Sequence, residues 1–146
     1  MSARTAHVRD RARDERAELR ARELLRSVAG DEAAAMYEEL GFVGVDPSGG
    51  EAGYGYLIYP HRPLVAYDSD SGELLNEYCV RFRDGSEPGA GEWLPDADDV
   101  LAKWIALNAD ERLLIDSANM DRPGRQLDPE MIRRDIATLG PWRRDR

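Results

Sequence analysis

The pattern of apolar and polar positions changes twice along the chain, from helical to strand-like and back to helical. Residues 4–26 contain no Gly or Pro and consist largely of residues that favour helices. Apolar side chains recur at spacings of three and four only in the second half of this stretch, from Ala17 to Val28. The pattern predicts one long helix whose second half packs on a core and whose first half is exposed.

A second, shorter helix is predicted directly after the first. Gly30 is typical of a helix end, Asp31 is a favourable N-cap, and Gly41 is a favourable C-terminal stop. The ten residues between these signals include an apolar group around Met36. This helix is expected to pack on the same core.

From Phe42 the period becomes that of β-strands, and clusters of Pro, Gly, Ser and Asp mark the turns between them. In the last strand Leu74, Tyr78 and Val80 fall on alternate positions, which predicts one buried face and one largely solvated face. The simplest connection is a four-stranded antiparallel meander. Its predicted strands are Phe42–Val45, Tyr54–Tyr59, Leu64–Tyr67 and Leu74–Phe82.

Three more helices are predicted after the strands. The first begins among the acidic residues near Asp96, which complement the helix dipole, and the second runs to Ala118. The third begins at Asp128 and Pro129 and ends at Gly140 with Pro141. We therefore predict an α+β fold with two N-terminal helices, a four-stranded antiparallel β-meander, and three C-terminal helices packed on one face of it.

The chain length of 146 residues fits one domain. We expect an exposed basic helical arm at 1–20, the α+β domain at 21–140 and a basic tail at 141–146. The single Cys79 cannot form an internal disulfide, and no apolar run reaches the roughly 18 residues of a membrane helix. The first residues also lack the apolar region of a signal peptide, so we expect a cytoplasmic protein with no membrane contact.

Charge is unevenly distributed along the chain. Residues 31–130 hold 22 of the 29 acidic side chains and only 7 of the 20 basic ones. Residues 1–30 carry eight Arg against five acids, and residues 131–146 carry five Arg against two. An acidic body between basic ends predicts association with a charged partner or with another copy of the chain.

A series of short stretches within residues 20–120 occurs in a characteristic order. They are Arg22–Leu25, Tyr37–Glu38, Gly41–Val45, Tyr56–Ile58, Glu77–Val80, Leu94–Pro95 with Asp98, Leu101–Lys103, Asp110–Glu111 and Ala118–Asn119. This order resembles a loose set of small bacterial and phage-borne α+β proteins of unknown function. The resemblance implies a reusable helix, sheet and helix unit and a phage or mobile-element setting. It implies no activity and no catalytic residue.

Metal sites are disfavoured by the spacing of possible ligands. Asp68 and Asp70 are spaced like the start of a calcium loop, but Glu73 and Cys79 stand where that loop needs Gly and Glu. A hairpin turn explains these residues better. The acidic group at Asp96, Asp98 and Asp99 could bind a divalent ion together with Glu92, but the position of these residues at a helix start favours helix capping. Two His and one Cys do not suffice for an ordinary zinc site.

Catalytic and nucleotide-binding patterns are equally weak. His61 and Cys79 are the only candidates for a base and nucleophile pair, but one lies in a proline-bounded loop and the other in a strand. Gly53 and Gly55 lack the third Gly and the Lys of a phosphate-binding loop. We therefore expect no catalytic residue, no metal and no cofactor.

These observations favour a non-catalytic protein–protein interaction module whose Arg-rich helix docks on an acidic surface of a partner or of another copy. One alternative is a nucleic-acid accessory protein that uses the same arginines on phosphates. Another is an acidic mimic of nucleic acid that inhibits a basic protein, and an enzyme with an undetected carboxylate site ranks last. The predicted partner-binding residues are Arg9, Arg11, Arg13, Arg16, Arg20, Tyr54, Tyr56 and Trp93.

Overall fold

The fold is known from a computed structural model that describes residues 3–80, 94–118 and 127–146, with the backbone alone for residues 3–10. The strands form one antiparallel sheet in the order β1-β2-β3-β4. The α+β class and the predicted order of helices and strands are confirmed. In chain order the elements are α1 (Ala3–Ala29), α2 (Asp31–Leu40), β1 (Val43–Val45), a 3-10 turn (Pro47–Gly50), β2 (Tyr54–Ile58), β3 (Leu64–Asp68), β4 (Leu74–Tyr78), α3 (Asp96–Ala109), α4 (Glu111–Ser117) and α5 (Pro129–Arg144).

Both faces of the sheet are covered at its centre. The register pairs Gly44 with Leu57 and the next residue of β1 with Tyr56, so Gly44 and Tyr56 lie on opposite faces. On one face, a Cβ added at Gly44 would lie 2.6 Å from Leu139 of α5. On the other, Tyr56 donates a hydrogen bond to Glu111 of α4. Helix α5 therefore lies opposite α4 rather than on the same face as predicted, and β2 and β3 have no solvated face.

An irregularity in β4 changes which of its residues share a face. The pairing with β3 skips Leu75, which is an extra residue without a partner on that strand. A bulge of this kind shifts the alternation by one position. Leu74 and Tyr78 therefore lie on opposite faces, whereas simple alternation places them together. The strand ends at Tyr78, and the predicted end at Phe82 lies outside the described residues.

Helix α1 has the two halves that the sequence pattern predicts. In its second half, Ala21 and Leu25 are buried in the core, and α1 contacts α2 and α3. Leu24 and Val28, which the pattern also places on the core, are 50% and 47% exposed, so the packed face is narrower than predicted. In its first half, the side chains of residues 11–16 are exposed apart from the half-buried Ala12. No helix in the described part of the chain is long and apolar enough to cross a membrane.

Helix α5 continues past Gly140 and Pro141, where the sequence pattern ends it, to Arg144. Both residues weaken a helix, because Gly is flexible and Pro supplies no N–H. The last turn is held by tertiary contacts instead, including an ion pair of 2.6 Å between Arg143 and Asp46. Arg143 and Arg144 therefore belong to a helix that is attached to the body.

Candidate interaction surface

The first half of α1 carries most of its arginines on one side of the helix. Arg9, Arg13, Arg16 and Arg20 follow the spacing i, i+4, i+7 and i+11, which places them in one stripe about 60° wide. We call these four residues the arginine stripe. The side chains of Arg13, Arg16 and Arg20 are exposed. Arg11, the fifth predicted residue, is also exposed but lies on the opposite side of the helix.

The described side chains of the arginine stripe, those of Arg13, Arg16 and Arg20, point away from the packed side of α1. Ala21 and Leu25 define that packed side, and both lie about 80° or more from every position of the stripe around the helix axis. Leu19 and Leu24 lie on either side of the stripe and are 61% and 50% exposed. The helix therefore presents a basic stripe with a large apolar side chain on each flank.

Glu18 fixes α1 to its neighbours directly after the exposed half. One carboxylate oxygen accepts a hydrogen bond of 3.0 Å from the backbone N–H of Ala97 at the start of α3. The other accepts from Arg22 Nε at 2.8 Å and from Tyr37 Oη of α2 at 2.9 Å. Partial burial opposes ionisation of Glu18, but these hydrogen bonds outweigh it and lower its pKa. The exposed half of α1 is thus presented by a helix that is anchored at Glu18.

The two predicted tyrosine anchors lie against α4. Tyr54 and Tyr56 both donate to the same oxygen of Glu111, at 2.6 and 2.7 Å, and their rings meet edge to face. The hydrogen bond that Tyr54 donates to Glu111 raises the pKa of Tyr54, and burial raises that of Tyr56. Tyr54 is half-buried, but Tyr56 is only 4% exposed. The prediction that Tyr56 anchors a partner is therefore corrected, because its ring packs inside the protein.

Two predicted residues lie wholly or partly outside the described part of the chain. Trp93 is outside the described residues, and the side chain of Arg9 is outside them although its backbone lies in α1. The structure thus brings Arg13, Arg16 and Arg20 together on one exposed stripe. It places Tyr54 in a separate cluster with Glu111.

The sequence pattern did not predict that the buried Lys103 joins two parts of the fold. Lys103 of α3 is 1% exposed, and its Nζ donates to Asp99 at 2.6 Å and to the backbone carbonyls of Tyr59 and Arg62 at 3.0 and 2.9 Å. Asp99 also accepts from the backbone N–H of His61 at 2.7 Å. Because all three ammonium donors are used, this arrangement holds the β2–β3 loop against α3. The available signal was the only lysine of the chain, four residues after an aspartate in a helix.

His61 lies between two acidic side chains of α3. Its Nε2 is 3.1 Å from Asp96, and its Nδ1 is 3.8 Å from Asp99. Asp96 thus contacts the loop, and no side chain caps the start of α3, where Pro95 is the N-cap. Among the described residues, no group of three or more His, Cys, Asp or Glu side chains could hold a metal ion.

Comparisons of the chain with protein-family models, with curated proteins and with solved structures find no match. The interpretation of the surface therefore depends on its geometry and charge. The resemblance to small bacterial and phage-borne proteins stays a prediction, as does the expectation that the protein has no catalytic residue.

Proposed function

We propose that this protein is a non-catalytic interaction module that docks the exposed half of α1 on an acidic surface of a protein partner or of another copy. The observation that carries the proposal is the arginine stripe, which faces away from the core between Leu19 and Leu24. The side chains of Arg13, Arg16 and Arg20 are exposed to solvent, so a partner can reach this side of the helix.

The chemistry of the stripe suits a carboxylate-bearing surface. A guanidinium group is planar and can donate two parallel hydrogen bonds to a carboxylate. The stripe and its flanks run from Arg9 to Leu24 and span about 22 Å at 1.5 Å per residue, a length typical of helices that bind in a groove. A helix of this length is only marginally stable alone, so a partner would also stabilise it.

A protein partner explains the flanks of the stripe better than nucleic acid does. Burying the exposed Leu19 and Leu24 against an apolar surface stabilises a complex by about 25 cal/mol per Å² of apolar surface. A phosphate backbone offers no such surface, and the chain's net charge of −9 opposes its approach. The apolar flanks and the overall charge thus both favour a protein.

The test is a charge reversal with a matched control. The stripe variant carries Arg13→Glu, Arg16→Glu and Arg20→Glu. The control carries the same change at three exposed arginines of α4 and α5, so that both variants change net charge equally. Each is used for affinity capture from the host, with and without nuclease treatment, and the captured proteins are identified by mass spectrometry. The control residues are Arg112, Arg133 and Arg134.

We expect wild type and control to retain a protein that the stripe variant loses. If the captured protein is the same chain, the module assembles with itself. Equal capture by all three proteins, or capture that disappears only with nuclease, would contradict the proposal. A second variant, Leu19→Ser with Leu24→Ser, should weaken a protein complex without changing net charge, and it would leave phosphate binding intact.

A further inference from the structure

The outer edge of β1 is covered by side chains rather than by another strand. Strand β1 is at the end of the sheet and pairs with β2. At its centre, the backbone N–H of Gly44 points to Met36 Sδ at 3.4 Å, and the Gly44 carbonyl accepts from Arg143 Nη2 at 3.3 Å. Both backbone groups that an added strand would use are therefore occupied by side chains.

The two covering contacts are weak and replaceable. A thioether sulfur is a poor hydrogen-bond acceptor. Met36 is 4% exposed and belongs to the core between α2 and β1, so its flexible side chain must repack when a strand pairs with Gly44. The bond from Arg143 is longer than the usual 2.9–3.0 Å for N–H···O. A peptide backbone would supply a better acceptor and a better donor at the same positions, as in peptides that add a strand to a sheet.

A cleft of about 480 Å³ opens beside this edge. It is large enough for several side chains of an extended peptide. Trp104 and Asn108 of α3 form one wall, and Arg143 of α5 lies at another. The edge therefore has both the hydrogen-bonding groups and the space that an added strand requires.

The charge beside the edge specifies a basic occupant. Arg143 Nη1 is 2.6 Å from Asp46, and its Nε is 4.0 Å from Glu32. Residues 31–60 contain six acidic side chains and no Lys or Arg, so Arg143 is supplied from a distant part of the chain. A segment that displaced it would need to bring a cation of its own to Asp46.

The last turn of α5 carries Arg143, which covers the edge of β1, and its contacts are ones that a bound segment can replace. The last turn of α5 follows Gly140 and Pro141, the residues least favourable to the helix. Besides the bonds of Arg143, this turn is held by an ion pair of 2.7 Å between Arg146 and Glu39, both of which are exposed, and by the partly buried Trp142, which packs against the core. Exposed ion pairs contribute little to stability, so opening the turn mainly requires Trp142 to leave the core while the rest of the body stays folded.

We propose that the β1 edge binds an extended segment of a partner protein in which an arginine takes the place of Arg143. The last turn of α5 blocks this site in the free protein and is displaced when the segment binds. The site is independent of the arginine stripe on α1. It uses backbone hydrogen bonds for affinity and the Asp46 carboxylate for selectivity.

The test follows the Gly44 amide by NMR in the ¹⁵N-labelled full chain. The probes are the capped peptide Val-Thr-Val-Arg-Val-Thr and the same peptide with Glu in place of Arg. Wild type is compared with Arg143→Gln, which frees the edge, and with Arg144→Gln, which changes the exposed neighbouring arginine. Arg146→Gln, which loosens the same turn without touching the edge, serves as a second opening variant.

We expect the Arg peptide to shift the Gly44 amide and to bind Arg143→Gln and Arg146→Gln about fivefold more tightly than wild type, a factor matching one surface ion pair. Arg144→Gln should behave as wild type, and the Glu peptide should bind more weakly throughout. Absence of a shift at Gly44, equal binding of the two peptides, or the same gain in Arg144→Gln would overturn the proposal. The triple stripe variant should bind the peptide normally, which separates this site from α1.

Discussion

Lys103 shows why a buried charge here supports the fold rather than a reaction. An ammonium group is costly to bury unless each of its donors is bound. Lys103 meets this condition through Asp99 and two backbone carbonyls of the β2–β3 loop. Those three acceptors would in turn lose their donor if the lysine were replaced.

Replacing Lys103 by Met should destabilise the protein strongly. The variant leaves Asp99 buried without its cation, a change that typically costs about 3–5 kcal/mol. Urea denaturation of wild type and variant measures the difference in the free energy of unfolding. Arg62→Met is the control, because only the backbone carbonyl of Arg62 is bound by Lys103, and it should change stability by about 0.5 kcal/mol or less. A loss below about 1 kcal/mol for Lys103→Met would contradict this account.

Glu111→Gln should lower the pKa of Tyr54. The charged carboxylate raises this pKa through its hydrogen bond, and an amide oxygen keeps an acceptor but loses the charge. Because the pKa of Tyr54 is raised in the folded state, its protonated hydroxyl stabilises the fold below about pH 10. This stability is lost as the pH rises through the raised pKa. NMR titration of the tyrosine ring carbons measures the change. Tyr59, which donates to Asp135 instead, should keep its wild-type ring-carbon shifts throughout the titration, and an unchanged Tyr54 would exclude the charge of Glu111 as the cause.

At the scale of elements, Glu18 joins three helices through one carboxylate. It accepts hydrogen bonds from Arg22 in its own helix, from Tyr37 in α2 and from the backbone of Ala97 in α3. The position of α1 relative to the body therefore depends on an ionised side chain. That dependence makes the helix packing sensitive to acid.

Glu18→Gln should destabilise the protein at pH 7 by about 2 kcal/mol, the range of hydrogen bonds to a charged group. Because the pKa of Glu18 is lowered in the folded state, this stability is present above the ordinary pKa of 4.5 and is lost as pH falls through the lowered value. Urea denaturation of both proteins from pH 7 to pH 3 should show the difference shrinking in acid. A constant difference over this range would mean that packing, rather than charge, stabilises the contact.

Two glycines test the packing and the end of α5. At Gly44 an added Cβ would lie 2.6 Å from the side chain of Leu139, so Gly44→Ala should cost about 1–3 kcal/mol. At Gly140 the nearest atom is a flexible arginine end at 3.5 Å, and the residue lies inside a helix. Gly140→Ala should therefore stabilise by about 0.5–1 kcal/mol. Thermal unfolding should give a lower Tm for Gly44→Ala and a higher Tm for Gly140→Ala. Two shifts in the same direction would contradict the assigned packing.

For the whole molecule, the exposed half of α1 and the body are expected to be energetically separable. The core contacts of α1 begin with Glu18 and Ala21, whereas the side chains at 11–16 are mostly exposed. Deleting residues 2–13 should change the free energy of unfolding by less than about 1 kcal/mol. The same deletion should weaken the association proposed for the arginine stripe, because it removes Arg9 and Arg13. A large loss of stability on urea denaturation would show instead that this segment belongs to the fold.

Local patterns predicted much of the secondary structure because they depend on neighbours in sequence. The spacing of apolar residues in α1 separated a half that packs on the core from an exposed half, although it also placed the exposed Leu24 and Val28 on the core. The Asp128 and Pro129 signal marked the start of α5. The same reasoning failed at Leu75 and at Pro141. A bulge depends on the partner strand, and the continuation of α5 depends on Arg143 meeting Asp46, 97 positions away in the chain.

The sequence by itself determined the α+β class, the order of the elements and the arginine stripe, because hydrophobic period, turn residues and helical spacing are local properties. Tertiary structure alone decided that α5 covers the face opposite α4, that Tyr56 is buried and that Lys103 closes a loop. It also decided that Arg143 covers the edge of β1. These features depend on long-range contacts between elements, and periodicity in one segment contains no information about which distant segment will pack against it.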